Sequence, residues 1–192
     1  MPNWCVNKFR IDMPKEDKEK FLAAAVKDDF ELFGYFFPMP DDVFQGDLGQ
    51  EEEEKYPGEK NWYGWNQANI GCKWDASDVE VTETDTGVAI TCETPWGPPH
   101  IALDNLHYKL GYRVYGVFNE GGMDFAGTFI NGCWEDGPAL SEFGEGELPG
   151  WDDENGELDD ARQEWWNKQM ANRDAYFLEE MGIDTTGMST GG

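Results

Sequence analysis

Basic residues are scarce in this chain. Fourteen Lys and Arg face forty Asp and Glu over 192 residues, a formal charge of −26 at pH 7. No basic patch offsets the field: the densest run, Lys15 to Lys27, is interleaved with Glu16, Asp17 and Glu19. Bare DNA, RNA and anionic membranes are repelled, so neither a membrane nor direct nucleic-acid binding is expected. Cysteine is also sparse. The four stand at 5, 72, 92 and 133 with no C-x-x-C pair. That excludes a zinc ribbon or dithiol redox motif and predicts reduced, mostly buried thiols. Serine is limited to Ser77, Ser141 and Ser189, none in a G-x-S-x-G setting, and no phosphate loop or dinucleotide fingerprint occurs. The apolar runs are too short for a membrane helix, and the first residues do not read as a signal peptide. These absences predict a cytoplasmic protein without a cofactor, and not an enzyme.

Aromatic residues, by contrast, are plentiful. Nine Trp, twelve Phe and seven Tyr lie within a 39% hydrophobic composition, enough for a core and against wholesale disorder. The length suits one domain with an appendage. Residues 4–11 alternate and predict a strand, and Pro14 opens a helix over 14–28 with Phe21, Leu22 and Ala25 on one face and Val26 beside them. Phe30–Phe37 reads as extended chain or a wide turn. Residues 41–60, with Glu51, Glu52, Glu53 and Glu54 in succession between Gly and Pro, read as a solvated acidic insert. A hairpin is predicted over 78–93. A helix carrying Leu103, Leu106 and Leu110 then ends near Gly111, followed by strands at 112–118 and 125–130. Trp62, Trp65, Trp74 and Trp96 are expected to form a core cluster.

This order predicts an α+β fold, a ferredoxin-like plait (βαββαβ plus an extra strand) over residues 1–133. Both helices then share one face of an antiparallel sheet. The Trp-rich 61–75 segment or a C-terminal helix is expected to cover the other face. Residues 134–156 read as an acidic linker and 157–181 as that helix, with Trp166, Met170, Phe177 and Met181 on a stripe and Leu158, Ala161 and Trp165 beside it.

Five short motifs stand out: Met1-Pro2-Asn3-Trp4-Cys5-Val6-Asn7, Phe37-Pro38-Met39-Pro40, Cys72-Lys73-Trp74-Asp75-Ala76, Thr94-Pro95-Trp96-Gly97-Pro98-Pro99 and Phe125-Ala126-Gly127. Together they resemble a family of small proteins encoded by tailed phages and plasmids that carry a ferredoxin-like domain. The resemblance covers about residues 1–133. The chain departs from the family pattern at Gly71-Cys72, where Gly-Thr is usual, and nothing after residue 134 has a counterpart. The resemblance implies a mobile-element origin, an infected bacterial host and the plait; it brings no catalytic residues.

Two constellations invite metal readings; one fails on spacing and the other at its anchor residues. His100, Asp104 and His107 share one side of a helix, but the histidines stand ~10 Å apart at 1.5 Å per residue, too far for one zinc. An EF-hand register over Trp151–Arg162 places Gly156 at its sixth position, yet Trp151 and Arg162 occupy the anchors where carboxylates are required. Tyr112, Tyr115 and Phe118 do not share one strand face, so they form no base-stacking platform.

The charge itself remains. Residues 1–40 hold seven acids and six bases, residues 41–60 eight and two, and residues 134–192 sixteen and three. Duplex DNA carries roughly one charge per 1.7 Å, so the excess matches ~44 Å of duplex. A globule of this length is about 40 Å across. The favoured reading is a phage accessory protein that inhibits a basic, nucleic-acid-binding host or defence protein by DNA mimicry. The candidate partner-binding carboxylates are Glu51, Glu52, Glu53, Glu54, Asp152, Asp153, Glu154, Glu157, Asp159 and Asp160. A generic protein-interaction module, a nucleic-acid-binding plait and an enzyme are the alternatives.

Overall fold

The structure, a computed structural model, describes residues 3–137 together with 163–165, 167–169, 171–173 and 175–176. Its centre is β1 (Trp4–Asp12), paired antiparallel on one side with β3 (Gly87–Pro95) and on the other with β4 (Arg113–Glu120). β2 (Ser77–Glu83) extends the sheet beyond β3, and β5 (Phe125–Ile130) and β6 (Cys133–Asp136) extend it beyond β4. The six strands form an open antiparallel sheet in the order β2-β3-β1-β4-β5-β6, and with the helices the fold is α+β.

Strand periodicity separates the faces. Val81, Ile90, Phe9, Gly116, Phe129 and Trp134 occupy one cross-sheet row. That face carries the main core, to which α1 (Lys15–Ala25) adds Phe21, and α5 (His100–Tyr108) adds Ala102, Leu103 and Leu106. Gly116 is required by this packing, because a Cβ there would collide with the Lys8 carbonyl and with Phe9. In α1, Glu16 and Asp17 meet the positive end of the helix dipole. The helix stops at Val26, which is 82% exposed and adds nothing to the apolar side expected of it.

The segment Phe30–Phe37 corrects expectation: it contains α2, Leu32–Phe36, instead of extended chain. The reason lies far away in sequence. Asp75 accepts from the N–H of Phe33 (3.0 Å) and of Gly34 (2.7 Å), satisfying donors that a helix start leaves bare. Phe36 then stacks on Phe21 at 5.3 Å, with Tyr35 edge-on to both rings.

The acidic insert is structured as well as solvated. Its four glutamates lie on α3, Gln50–Lys55, which has no buried residue. Phe44 anchors the insert by bridging to Asn61 and stacking on Tyr56 at 4.5 Å, with planes 4° apart. α4, Trp62–Asn69, follows, with Asn61 capping it through Gly64 N–H.

The opposite sheet face has a different composition. Thr91, Lys8, Val117 and Thr128 form its central row, all buried, and Asn119 and Ala126 beside them are buried too. The 61–75 segment does not provide this cover, since Trp65, Ile70 and Cys72 join the helical-face core. The described residues between 163 and 176 are helical, and Gln169 and Arg173 among them have no exposed surface. Arg173 lies near enough to Cys5 to lower its thiol pKa, against the larger effect of burial. Cys5 belongs to the core of the first face, and Arg173 approaches it from this helical region. Its described buried residues are polar; the stripe residues Trp166, Met170, Phe177 and Met181, with Leu158 and Ala161, lie outside the described residues.

Candidate functional site

The turn after β3 holds its aromatic residue outward. Trp96 has φ +71°, a left-handed conformation that bulky L residues rarely adopt, and its ring is 58% exposed. A buried polar network fixes this turn. Asn7 Nδ2 donates to Thr94 Oγ1 at 2.8 Å, and Thr94 Oγ1 donates to the Gly97 carbonyl at 2.7 Å. The Cys72 thiol donates to the same carbonyl at 3.4 Å, and Trp96 N–H donates to the Asn3 carbonyl at 2.9 Å. Both flanks of Trp96 are thereby held while its indole faces solvent.

Trp96 forms part of a cleft of about 740 Å³. Trp62 and Tyr63 contribute from the start of α4, their rings 5.9 Å apart and edge to face. Trp62 Nε1 donates to the Gly46 carbonyl at 3.1 Å, tying the indole to the insert. The insert supplies Gln45, Asp47 and Leu48, and α3 supplies Glu53. Lys73 is the cationic lining residue; its Nζ lies 4.5 Å from the centre of the Trp74 ring. Two carboxylates against one ammonium leave the lining acidic. A hollow of this size, with aromatic walls and a few polar groups, suits a small molecule or a few side chains.

A smaller hollow of about 330 Å³ lies by Glu31, Trp65, Asn66, Trp74 and Asp75. Burial pushes the Asp75 carboxyl above its usual range, against its backbone donors. Burial and the Asp75 charge likewise raise Glu31. Asp75 serves both α2 and the Ala76 N–H at 2.6 Å, so its chemistry is accounted for by the fold.

The buried thiols are not activated. Cys5, Cys72 and Cys92 are buried, and Cys133 is exposed. Burial raises all three buried thiols, Cys72 to about 12, so they stay neutral. The residues read as a failed metal triad have other partners. His100 packs edge-on to Trp134, Asp104 accepts from Trp134 Nε1 at 2.8 Å, and His107 Nδ1 lies 2.8 Å from the Tyr112 carbonyl.

Of the sequence-predicted carboxylates, Glu51, Glu52, Glu53 and Glu54 share α3, where Glu52 is turned back to accept from Gly49 N–H at 3.2 Å. Asp152, Asp153, Glu154, Glu157, Asp159 and Asp160, and the EF-hand register, lie outside the described residues. The expected tryptophan core cluster is corrected. Trp65 is buried, whereas Trp74 and Trp96 are exposed and Trp62 is half-buried against the cleft. The site residues that sequence reasoning does not reach are therefore Trp62, Tyr63, Trp96 and Asp47. One local signal points outward: Trp96 stands in Pro-Trp-Gly-Pro-Pro, a turn sequence without the alternation that buries a strand residue. Comparison with protein-family models, curated proteins and solved structures returns no match. Among the described residues, no helix is long and apolar enough to cross a membrane.

Proposed function

We propose that this chain is an accessory binding protein of phage or plasmid origin, built on a ferredoxin-like plait, that engages a basic protein partner. The carrying observation is α3, a solvent-facing helix with four successive glutamates that also borders an aromatic cleft. Strand pairing supports the plait. β1 and β2 run parallel with β3 between them, β3 and β4 run parallel with β1 between them, and α1 and α5 lie in the respective connections. β5 and β6 extend that core.

The excess of 26 negative charges steers cationic surfaces to the molecule and weakens with salt. Inhibition of a host or defence nucleic-acid-binding protein is the biological form this charge favours. The shape of α3 favours a protein-interaction surface over literal copying of DNA. Successive helical residues turn by about 100°, so Glu51 to Glu54 fan around the helix instead of lying in two rows. The test is affinity capture from bacterial lysate at low and molar salt, with wild type and Glu51→Lys/Glu54→Lys in parallel. Recovery of basic nucleic-acid-binding proteins that disappears in molar salt and in the variant is expected. Equal recovery by wild type and variant would overturn the assignment to α3.

A further inference from the structure

The acidic exterior explains attraction to a cation but not the aromatic cleft beside it. We infer that the cleft is the receptor for an arginine-bearing segment of the partner, with guanidinium groups over the indoles of Trp62 and Trp96 and against Asp47 and Glu53. This deepens the proposed function and rests on it. Four observations converge. First, the lining combines two indoles and a phenol with two carboxylates and one ammonium, a net negative hollow. A nucleotide or other anion is disfavoured there, and a cation is drawn in.

Second, the walls are set before any ligand arrives. The Asn7–Thr94–Gly97 network and the Cys72 thiol hold the Trp96 turn, and the Gly46 carbonyl holds Trp62. A rigid aromatic surface loses little entropy on binding, which is how exposed aromatics become binding anchors. Third, the left-handed Trp96 is a costly way to place an aromatic ring in water, and backbone outliers of this kind concentrate at ligand sites. Fourth, cations already sit on rings in this chain: Lys73, itself a lining residue, on Trp74 at 4.5 Å, Lys55 on Tyr56 at 5.0 Å and Arg113 on Tyr115 at 4.9 Å. Arginine is preferred to lysine because its planar guanidinium stacks on indole and forks onto a carboxylate, and because it is more weakly hydrated. The volume of about 740 Å³ takes a short segment instead of one side chain.

The experiment uses the full chain and two capped hexapeptides, Arg-Gly-Arg-Gly-Arg-Gly and its lysine counterpart, titrated at low salt. The readouts are tryptophan fluorescence and indole N–H resonances. The arginine peptide is expected to shift the Trp62 and Trp96 indole signals and to bind at least threefold more tightly than the lysine peptide. Trp96→Gly should weaken the arginine peptide about tenfold and bring the two peptides level. Asp47→Asn/Glu53→Gln, which leaves the backbone alone, should weaken it severalfold. Tyr108→Ala, an exposed phenol outside the cleft, should bind as wild type. Glu51→Lys/Glu54→Lys should weaken both peptides alike. If binding survives Trp96→Gly and Asp47→Asn/Glu53→Gln within twofold yet falls in the α3 variant, the cleft assignment is overturned and the acidic-module reading stands. A neutral hexasaccharide that produces the same indole shifts would also overturn the cation assignment. Failure of wild type to bind either peptide sinks both readings.

Discussion

Trp96 and Asp75 show how single residues here answer to different demands. A non-glycine residue at φ +71° carries a strain of about 1–2 kcal/mol. Glycine relieves that strain but adds flexibility to the unfolded chain worth about 0.5–1 kcal/mol. Trp96→Gly is therefore expected to unfold in urea within about 1 kcal/mol of wild type, even though the cleft loses a wall. A loss above about 3 kcal/mol would show that Trp96 is a packing residue after all. Asp75 behaves oppositely. Its two oxygens accept from Phe33, Gly34 and Ala76 N–H groups at 3.0, 2.7 and 2.6 Å. Asparagine fills the same volume but turns an NH₂ toward one of these donors. Asp75→Asn should cost about 1–3 kcal/mol, the penalty of a buried group left unsatisfied, read as a drop in urea midpoint at constant slope. An unchanged midpoint would mean that relief of carboxylate burial cancels the lost bonds.

Among the elements, the acidic insert offers a separable test. It is held by the buried Val43, by the Gly46 and Tyr56 carbonyls that accept from Trp62 Nε1 and Asn61 Nδ2, and by Phe44, whose backbone bridges to Asn61 and whose ring stacks on Tyr56 to tie the two ends of the insert together. Removing that ring frees α3 without touching the sheet. Phe44→Ala is expected to speed amide exchange across Gln50–Lys55 and to broaden the Trp62 indole signal, while amides of β1 and β3 keep their protection. Loss of protection in β1 would show that the insert belongs to the folding core. The elements legible in sequence share one property: their pattern is local. The alternation in β1, the turn between β2 and β3, and the Leu103–Leu106 spacing of α5 need no distant partner. α2 is not legible because its cap, Asp75, lies about forty residues downstream. β6 is hidden because Cys133–Asp136 does not alternate; pairing with β5 and the Trp134–Phe129 stack at 4.8 Å hold it. The same logic divides the candidate site. Glu51–Glu54 are visible as a run, whereas the cleft joins Asp47, Trp62, Lys73 and Trp96 through tertiary packing that no window of sequence contains.

For the molecule as a whole, the acid excess makes folding a contest between core burial and self-repulsion. Compacting a chain of net charge −26 brings like charges together, so the folded state gains more than the unfolded chain from screening or proton uptake. Individual groups point the same way. Burial raises Glu31, Asp75 and Glu93, the first aided by the Asp75 charge and the last by Asp78. A carboxyl raised in the folded state binds its proton there at a pH where the unfolded chain has released it. Stability from that difference is full below the unfolded values of about 4, shrinks as pH rises through the folded values and is gone above them. Glu16 is shifted the other way by Lys20, but on a fully exposed helix surface where the pair contributes little. The expected result is a melting temperature that rises as pH falls from 8 to 5, and rises with sodium chloride at pH 8 but hardly at pH 5. A protein whose acids were mainly held by ion pairs would do the reverse, losing stability on both acidification and added salt. Calorimetry at those two pH values, with and without salt, separates the cases, and a melting point that falls with salt at pH 8 would refute self-repulsion as the dominant electrostatic term.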